Sequence, residues 1–308
     1  MTTVTHAGVA AAAARISGHV LRTPVIEVAP RLWLKLELLQ HSGSFKVRGA
    51  FNRIMSAGDL PAAGVIAASG GNHGLAVAFA ARALGVRAEI FVPTVTSPVK
   101  VAGLERLGAH ITQTGAIYAE AAEAAAKRAA ETGALSVHAY DQPEVVAGQG
   151  TTGLELIEQT GAVDTVLAAV GGGGFAAGIT VGTSVSGPRI VAVEPERIPT
   201  LNAALRAGEP VPVEVSGVGA DALGASRIGG LAFQILNDPR VESVLVSDEA
   251  IIAARRTLWE RHRVAAEHAG AAAYAALLSG AYRPEPGERV AVVVCGSNTD
   301  PATLTAEN

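Results

Sequence analysis

Apolar strand-like segments and helix-like segments alternate along the chain from residue 64 onward, and this alternation constrains the fold more than any other feature. The predicted strands are 64–69, 88–93, 110–115, 135–140, 164–170, 189–195 and 289–296. The predicted helices are 74–85, 99–108, 118–133, 151–161, 199–208 and 247–263. Strands followed by helices favour parallel sheets that are covered by helices on both faces. The strands are too many for one sheet, so we expect an α/β fold with two sheets and a seam near residues 141–150.

Composition favours a globular protein that binds a small molecule. Of the 308 residues, 49% are hydrophobic, 17% are charged and only 4% are aromatic, and the net charge is -4. Such a chain offers neither the basic patches nor the stacking side chains of a nucleic-acid-binding protein. The alanine-rich N-terminus is typical of an ordinary helix, and no apolar run is long enough to predict a membrane span. Cys295 is the single cysteine, which excludes an intramolecular disulfide and favours a reducing, cytoplasmic location.

The segment SGSFKVRGA at residues 42–50 contains a lysine at a predicted helix start. Ser44 is expected to cap a helix that begins near Phe45, which places Lys46 in its first turn. The positive end of the helix dipole opposes an ammonium group there, so the lysine would lose its proton more easily. A lysine that forms a Schiff base needs that property. On position alone, Lys46 could equally be a solvated helix residue.

The segment SGGNHG at residues 69–74 lies between a predicted strand and a predicted helix. Its glycines allow the backbone to approach a ligand closely, and the free amides of a helix start bind anions. Ser69, Asn72 and His73 add polar side chains at the same point. The alternative is an ordinary polar turn between a strand and a helix.

Four consecutive glycines, Gly171, Gly172, Gly173 and Gly174, follow the predicted strand 164–170. A loop of this kind typically surrounds a phosphate with backbone amides. The same segment fits G-x-G-x-x-A, and Glu194 ends the next strand about 20 residues later, as in a dinucleotide-binding fingerprint. By itself the segment does not distinguish NAD from another phosphate ligand.

The segment CGSN at residues 295–298 ends the last apolar strand. The carboxyl ends of parallel strands line the ligand crevice of a sheet. Cys295 is therefore predicted to be either a buried small residue or a ligand contact.

Together these segments resemble the β-family of pyridoxal-phosphate (PLP) enzymes, which includes the serine/threonine dehydratases and serine racemase. The resemblance covers nearly the whole chain, and S-x-S-F-K-x-R-G-A is its most specific motif. It implies a two-domain enzyme of fold type II, tryptophan synthase beta-like, in which each domain is a mostly parallel sheet flanked by helices. It also implies a small domain at 53–146, a large domain at 1–52 and 147–308, and a cofactor in the cleft between them.

The resemblance also implies a role for individual residues. Lys46 would be the catalytic residue and would form the Schiff base with PLP. The residues implied to bind the cofactor are Phe45, Lys46, Asn72, Gly171, Gly172, Gly173, Gly174, Glu267 and Cys295. Those implied to bind the substrate carboxylate are Ser69, Gly70, Asn72 and His73. An NAD enzyme would need neither Lys46 in its motif nor the segments 69–74 and 295–298, so the resemblance favours PLP over a dinucleotide.

The implied activity is dehydration and deamination of L-threonine, L-serine or both, to 2-oxobutanoate or pyruvate plus ammonia, by a homodimer. The alternative is another β-eliminating or β-replacing enzyme of the family, or a serine racemase, acting on a related 3-substituted amino acid. Only 13 residues follow Cys295, which leaves no room for an appended regulatory domain, so a catabolic role is expected.

Two positions depart from the racemase pattern. Racemase-type members hold a divalent cation through a Glu, a backbone carbonyl and an Asp six residues after the Glu. Here Glu194 is followed at that position by Thr200, so we expect no metal. They also carry a serine directly after the one that matches Ser69, where this chain has Gly70. We therefore expect elimination with little racemisation.

Overall fold

The described residues of the computed structural model, 4–305, form two sheets with helices on both faces. The strands are β1 (Val25–Ala29), β2 (Leu32–Lys35), β3 (Val65–Ala68), β4 (Ala88–Val92), β5 (His110–Gln113), β6 (Leu135–Ser136), β7 (Thr165–Ala169), β8 (Arg189–Pro195), β9 (Val241–Val246) and β10 (Val290–Val293). The helices are α1 (His6–Ile16), α2 (Lys46–Met55), α3 (Asn72–Ala83), α4 (Pro98–Arg106), α5 (Tyr118–Thr132), α6 (Pro143–Thr160), α7 (Gly174–Gly182), α8 (Thr200–Ala207), α9 (Ala220–Leu223), α10 (Gly230–Leu236), α11 (Asp248–His262) and α12 (His268–Ser279).

The larger sheet has the order β1-β2-β10-β7-β8-β9, and the smaller has the order β5-β4-β3-β6. Among the strands of residues 4–305, β1 and β2 pair antiparallel, and the other neighbours pair parallel. Each sheet has its own large apolar cluster, because its strands are buried by helices on both faces. The predicted α/β class with two mostly parallel sheets is confirmed.

Most of the predicted strands and helices are confirmed, but two segments differ. The predicted strand 135–140 pairs only at Leu135–Ser136, because the chain then turns at His138, whose Nδ1 accepts hydrogen bonds from the amides of Tyr140 and Asp141. The expected seam at 141–150 is mostly helical, since α6 begins at Pro143. The domain boundary at 146/147 stays a prediction and falls within this helix.

Helix α6 packs closely against α2 and α7 because its glycines let these two helices approach its backbone. A Cβ on Gly150 would lie 2.7 Å from the carbonyl oxygen of Gly178 in α7, and one on Gly148 would lie 2.6 Å from that of Arg48 in α2. Glycines lower helix propensity by about 1 kcal/mol each relative to alanine. This segment therefore does not look helical in the sequence, whereas close packing stabilises it as a helix in the fold.

A buried ionic network fixes α2 against β2 and α6. Arg48 Nε donates to Glu37 Oε2 at 2.8 Å, and Arg48 Nη1 donates to Glu155 Oε1 at 2.7 Å. Lys35 Nζ donates to the other oxygen of Glu155 at 2.8 Å and to the Thr23 carbonyl at 2.9 Å. The network contains two cations, Lys35 and Arg48, and two anions, Glu37 and Glu155, so its charges cancel. Its hydrogen bonds pair donors and acceptors that burial would otherwise leave without partners.

No helix among residues 4–305 combines the length and the apolar character that crossing a membrane requires.

Removing one cation from the network should be strongly destabilising. Arg48→Met leaves Glu37 buried without its guanidinium partner, and such losses cost about 3–5 kcal/mol. Urea denaturation of the protein measures the free energy of unfolding. The matched control is Arg22→Met, which breaks the exposed Arg22–Glu158 pair and should cost no more than about 1 kcal/mol. Equal effects of the two substitutions would contradict the role of the network.

Candidate active site

Three loops at the carboxyl ends of strands meet in the cleft between the two sheets. Residues 69–74 follow β3, residues 171–174 follow β7 and residues 295–298 follow β10. A cavity of about 530 Å³ is lined by Lys46, by residues 69–73 and by Gly172. An adjoining cavity is lined by all nine residues predicted to bind the cofactor, namely Phe45, Lys46, Asn72, Gly171, Gly172, Gly173, Gly174, Glu267 and Cys295. The structure therefore brings these residues together, and their individual roles stay predictions.

Lys46 is the first residue of α2, but Ser44 does not cap this helix as expected. Ser44 is extended and forms an isolated antiparallel bridge with Gly296. The Phe45 amide donates to the Cys295 carbonyl at 3.2 Å, so the segment before α2 is attached to the end of β10. The Ser44 hydroxyl is buried and has no hydrogen-bond partner among residues 4–305. The position of Lys46 thus depends on the last strand rather than on a local cap.

The amine of Lys46 is set up to lose its proton. Burial lowers the pKa of Lys46 from 10.5 to about 8, although Cys295 and Glu267 act in the opposite direction. The main cause of the lowered pKa is that burial removes the ammonium group from water, whereas the sequence pattern suggested the helix dipole as the cause. Lys46 Nζ donates to the carbonyl oxygen of Ala139 at 2.7 Å, which holds the amine at the junction of the two cavities.

A chain of hydrogen bonds connects Asn72 with the end of β10. Asn72 Nδ2 donates to Glu267 Oε1 at 2.6 Å, and Asn298 Nδ2 donates to Asn72 Oδ1 at 2.6 Å. Burial raises the pKa of Glu267 to about 7. The sequence pointed to the segment 295–298 but did not single out Asn298.

The only cysteine, Cys295, lies at the same end of the cavity. Its side chain is 3% exposed, and Sγ contacts the Ala269 carbonyl at 3.5 Å. Burial raises the pKa of the thiol well above its usual range. Cys295 therefore presents a neutral group to whatever occupies this cavity.

His73 is less available than the sequence suggested. Its Nε2 lies 2.8 Å from the Val137 carbonyl, so this nitrogen carries the hydrogen. Burial lowers the pKa of His73 to about 3, and Lys46 acts in the same direction. The imidazole is therefore neutral at physiological pH and is a poor proton donor. The hydroxyl of the neighbouring Ser69 accepts from the Gly71 amide at 3.1 Å, within the same loop.

The space beside Gly70 is filled by a residue that the sequence did not reveal. A Cβ on Gly70 would lie 2.9 Å from Thr96 Cγ2 and 3.7 Å from Val92 Cγ1. Thr96 and Gly70 both line the cavity of about 530 Å³. Thr96 is 26 positions away in the sequence, and no local motif indicates this contact.

The glycine loop has the shape of a cradle. A Cβ on Gly172 would lie 2.4 Å from the ring of Tyr140, and one on Gly174 would lie 2.3 Å from the Tyr140 carbonyl oxygen. Gly173 has φ +85°, which favours glycine, and the α7 N-terminus that follows has no side-chain cap. Tyr140 was also missed by sequence reasoning, because it contacts the loop only through the fold. The uncapped helix start behind the glycines is suited to an anion.

The donor set therefore fits PLP. The aldehyde would need an amine, which Lys46 supplies, and the phosphate would need backbone amides, which the glycine loop supplies. The stacked rings of Phe45 and Phe175, with centroids 3.7 Å apart, form an apolar wall of the same cavity.

Glu194, which the resemblance relates to a cation ligand, accepts hydrogen bonds from two backbone amides. Glu194 Oε1 accepts from the Leu201 amide at 2.7 Å, and Oε2 accepts from the Asn202 amide at 2.9 Å. The carboxylate thus caps the start of α8. Burial raises the pKa of Glu194 to about 7.

An amine and a glycine cradle in a cleft between two mostly parallel sheets define a PLP enzyme of fold type II. Residues 16–296 match the family model described as "Pyridoxal-phosphate dependent enzyme", and the chain belongs to this family. It is 39% identical to the L-threonine ammonia-lyase of Thermotoga maritima, over 87% of this chain and 67% of that protein. It is 34% identical to the serine racemase of Oryza sativa, over 95% of this chain and 90% of that protein. Among solved structures, maize serine racemase matches with a TM-score of 0.91 and 31% identity, over 98% of this chain and 96% of that one.

The lowered pKa of Lys46 should appear in the pH dependence of cofactor binding by the apoenzyme. The neutral amine attacks the aldehyde, and with a pKa of about 8 roughly a quarter of it is neutral at pH 7.5, against about 0.1% for a lysine at 10.5. The rate at which PLP develops its protein-bound absorbance should rise with pH and level off above about pH 8. The control is N-acetyl-lysine, whose rate should rise to beyond pH 10. A parallel rise for the protein would contradict the lowered pKa.

Proposed function

We propose that this enzyme dehydrates and deaminates L-threonine, L-serine or both, giving 2-oxobutanoate or pyruvate plus ammonia. The observation that carries the proposal is the Lys46 amine, with its lowered pKa, at the junction of the glycine-lined cavity and the cavity of about 530 Å³. Two relatives named L-threonine ammonia-lyase, 39% and 40% identical, support this choice of substrate. A catabolic role stays a prediction.

Lys46 would act as the base. When bound, PLP supplies an electron sink that makes the Cα proton of the substrate acidic. Once it is free of the cofactor, the Nζ of Lys46 would take that proton, and its low pKa favours the neutral form of the amine. The Ala139 carbonyl accepts from Nζ at 2.7 Å and orients the free amine.

The substrate carboxylate would bind to Ser69, Gly70, Asn72 and His73. The loop comes directly before and into the N-terminus of α3, where Asn72 and His73 are the first two residues. Amides at such a position attract a carboxylate, while the side chain of Asn72 is shared with Glu267. His73 contributes through its position and its backbone, since its ring is neutral and bonded to Val137.

Cys295 would favour elimination over transamination. The buried neutral thiol places no negative charge in the cavity, so it would not hold a nearby ring nitrogen protonated. Cys295 would thereby leave a bound PLP ring a weaker electron sink, and a weaker sink favours loss of the β-substituent over transamination.

The proposal extends to organisation and location. The domains would be 53–146 and the combination of 1–52 with 147–308, with PLP in the cleft. The protein would be a cytoplasmic homodimer, as the family resemblance and the single buried cysteine suggest.

Replacing Lys46 tests the assignment directly. Lys46→Ala should abolish keto-acid release from L-threonine and L-serine, because no other lysine among the described residues lines the glycine cavity. A keto-acid assay over a panel of 3-hydroxy amino acids measures both activity and preference, and circular dichroism verifies the fold. The matched control is Lys127→Ala on α5, which should keep wild-type turnover. Wild-type turnover by the Lys46 variant would refute the proposal.

Elimination should exceed racemisation. Racemisation needs an acid–base group on each face of the substrate Cα, one to remove the proton and another to return it from the opposite side. Gly70 has no hydroxyl to serve the second face, and the His73 ring is neutral. Chiral chromatography beside a pyruvate assay on L-serine should show far less D-serine than pyruvate. Comparable amounts would favour the racemase alternative, to which the similarity with serine racemases also points.

The contact between Gly70 and Thr96 determines which variants suit this test. Gly70→Ser alone would place Cβ against Thr96, so Gly70→Ser with Thr96→Ala should raise the share of D-serine. Thr96→Ala alone is the control and should not.

A further inference from the structure

The hydroxyl of Thr200 contacts the first carbonyl of the glycine loop. Thr200 is the first residue of α8, and its side chain is fully buried. Its Oγ1 lies 2.6 Å from the Gly171 carbonyl oxygen and 3.1 Å from Glu194 Oε1. A hydroxyl has a single hydrogen. The shorter distance assigns that hydrogen to Gly171.

Thr200 is itself fixed in place. Glu194, on β8, accepts from the amides of the next two residues, Leu201 and Asn202, at 2.7 and 2.9 Å. The Ser243 hydroxyl, on β9, approaches the same carboxylate at 3.4 Å. The start of α8 is therefore anchored to two strands of the larger sheet, and the hydroxyl of Thr200 has a rigid support.

The hydrogen bond to Gly171 also determines where the next amide points. The peptide unit is planar and trans, so the carbonyl of Gly171 and the N–H of Gly172 point in opposite directions. With the carbonyl held towards Thr200, the N–H of Gly172 points away from it. Gly172 lines both cavities, and its N–H donates no hydrogen bond within residues 4–305.

Glycine makes such an anchor necessary. A Cβ on Gly171 would lie 2.9 Å from the Leu223 carbonyl oxygen, so no larger residue fits. Glycine adopts many backbone conformations with little steric penalty. The peptide between Gly171 and Gly172 could therefore rotate if nothing held its carbonyl.

We infer that Thr200 is a positioning residue for the phosphate of the cofactor. Its hydroxyl orients the peptide between Gly171 and Gly172, so that the amide of Gly172 donates to the phosphate. The inference depends on PLP as the cofactor and not on the choice of substrate.

The test compares cofactor affinities of the apoenzyme. Thr200→Val removes the hydroxyl at nearly constant volume and should weaken PLP binding about ten- to a hundredfold, the range for one hydrogen bond to a charged group. Thr200→Ser keeps the hydroxyl and should bind within about threefold of the wild type. Pyridoxal, which has no phosphate, should bind the wild type and Thr200→Val equally well. Absorbance titrations give all of these dissociation constants without turnover.

The matched control is Thr183→Val. Thr183 is also buried, but its hydroxyl donates to the Ile179 carbonyl one turn earlier in the chain, at 2.8 Å. This variant should bind PLP as the wild type does. If Thr200→Val does not fold, Thr200→Ala replaces it with the same expected results.

The possible results distinguish the cofactor assignment from the positioning role of Thr200. A wild-type apoenzyme that fails to bind PLP would overturn the cofactor assignment. If the wild type binds and Thr200→Val keeps its PLP affinity, the positioning role is wrong. An equal loss of PLP and pyridoxal affinity would also refute it, because the defect would then not involve the phosphate.

Discussion

The position of helix α2 is the constraint on which the rest of the site depends. Its first residue is Lys46, and two residues later Arg48 enters a buried network with Glu37 and Glu155. A guanidinium between two carboxylates has a defined geometry, since its donors are arranged in a rigid plane. The first turn of α2 therefore carries the Lys46 amine on one side, and the ion pairs of Arg48 fix its other side. The network fixes the helix that carries Lys46, and none of its residues lines either cavity.

Much of the fold and the site could be predicted from sequence because the signals are local. Lys46 belongs to a short motif at a predicted helix start. Asn72 and the glycine loop belong to short motifs at the ends of predicted strands, and the carboxyl ends of parallel strands meet. Repeated alternation likewise indicated two sheets. Such features need only spacing and residue type.

What could not be predicted depends on contacts between distant segments. Tyr140 packs on the glycine loop, and Thr96 fills the space beside Gly70, yet neither belongs to a motif. The first half of α6 contains glycines that usually weaken a helix, and its close contact with α7 compensates for them. The pKa of Lys46 is lowered mainly by burial, which no local pattern reveals.

The bridge between Ser44 and Gly296 has a consequence for biosynthesis. These partners are separated by most of the chain, and loop closure over such distances is slow because its entropy must be lost before the contact forms. The ribosome synthesises the lysine motif long before β10, whose end carries Cys295, one of the residues that line the glycine cavity. Because burial is the main cause of the lowered pKa of Lys46, we expect an incomplete chain, in which the segment before α2 lacks its β10 partner, to carry a lysine with a pKa closer to 10.5.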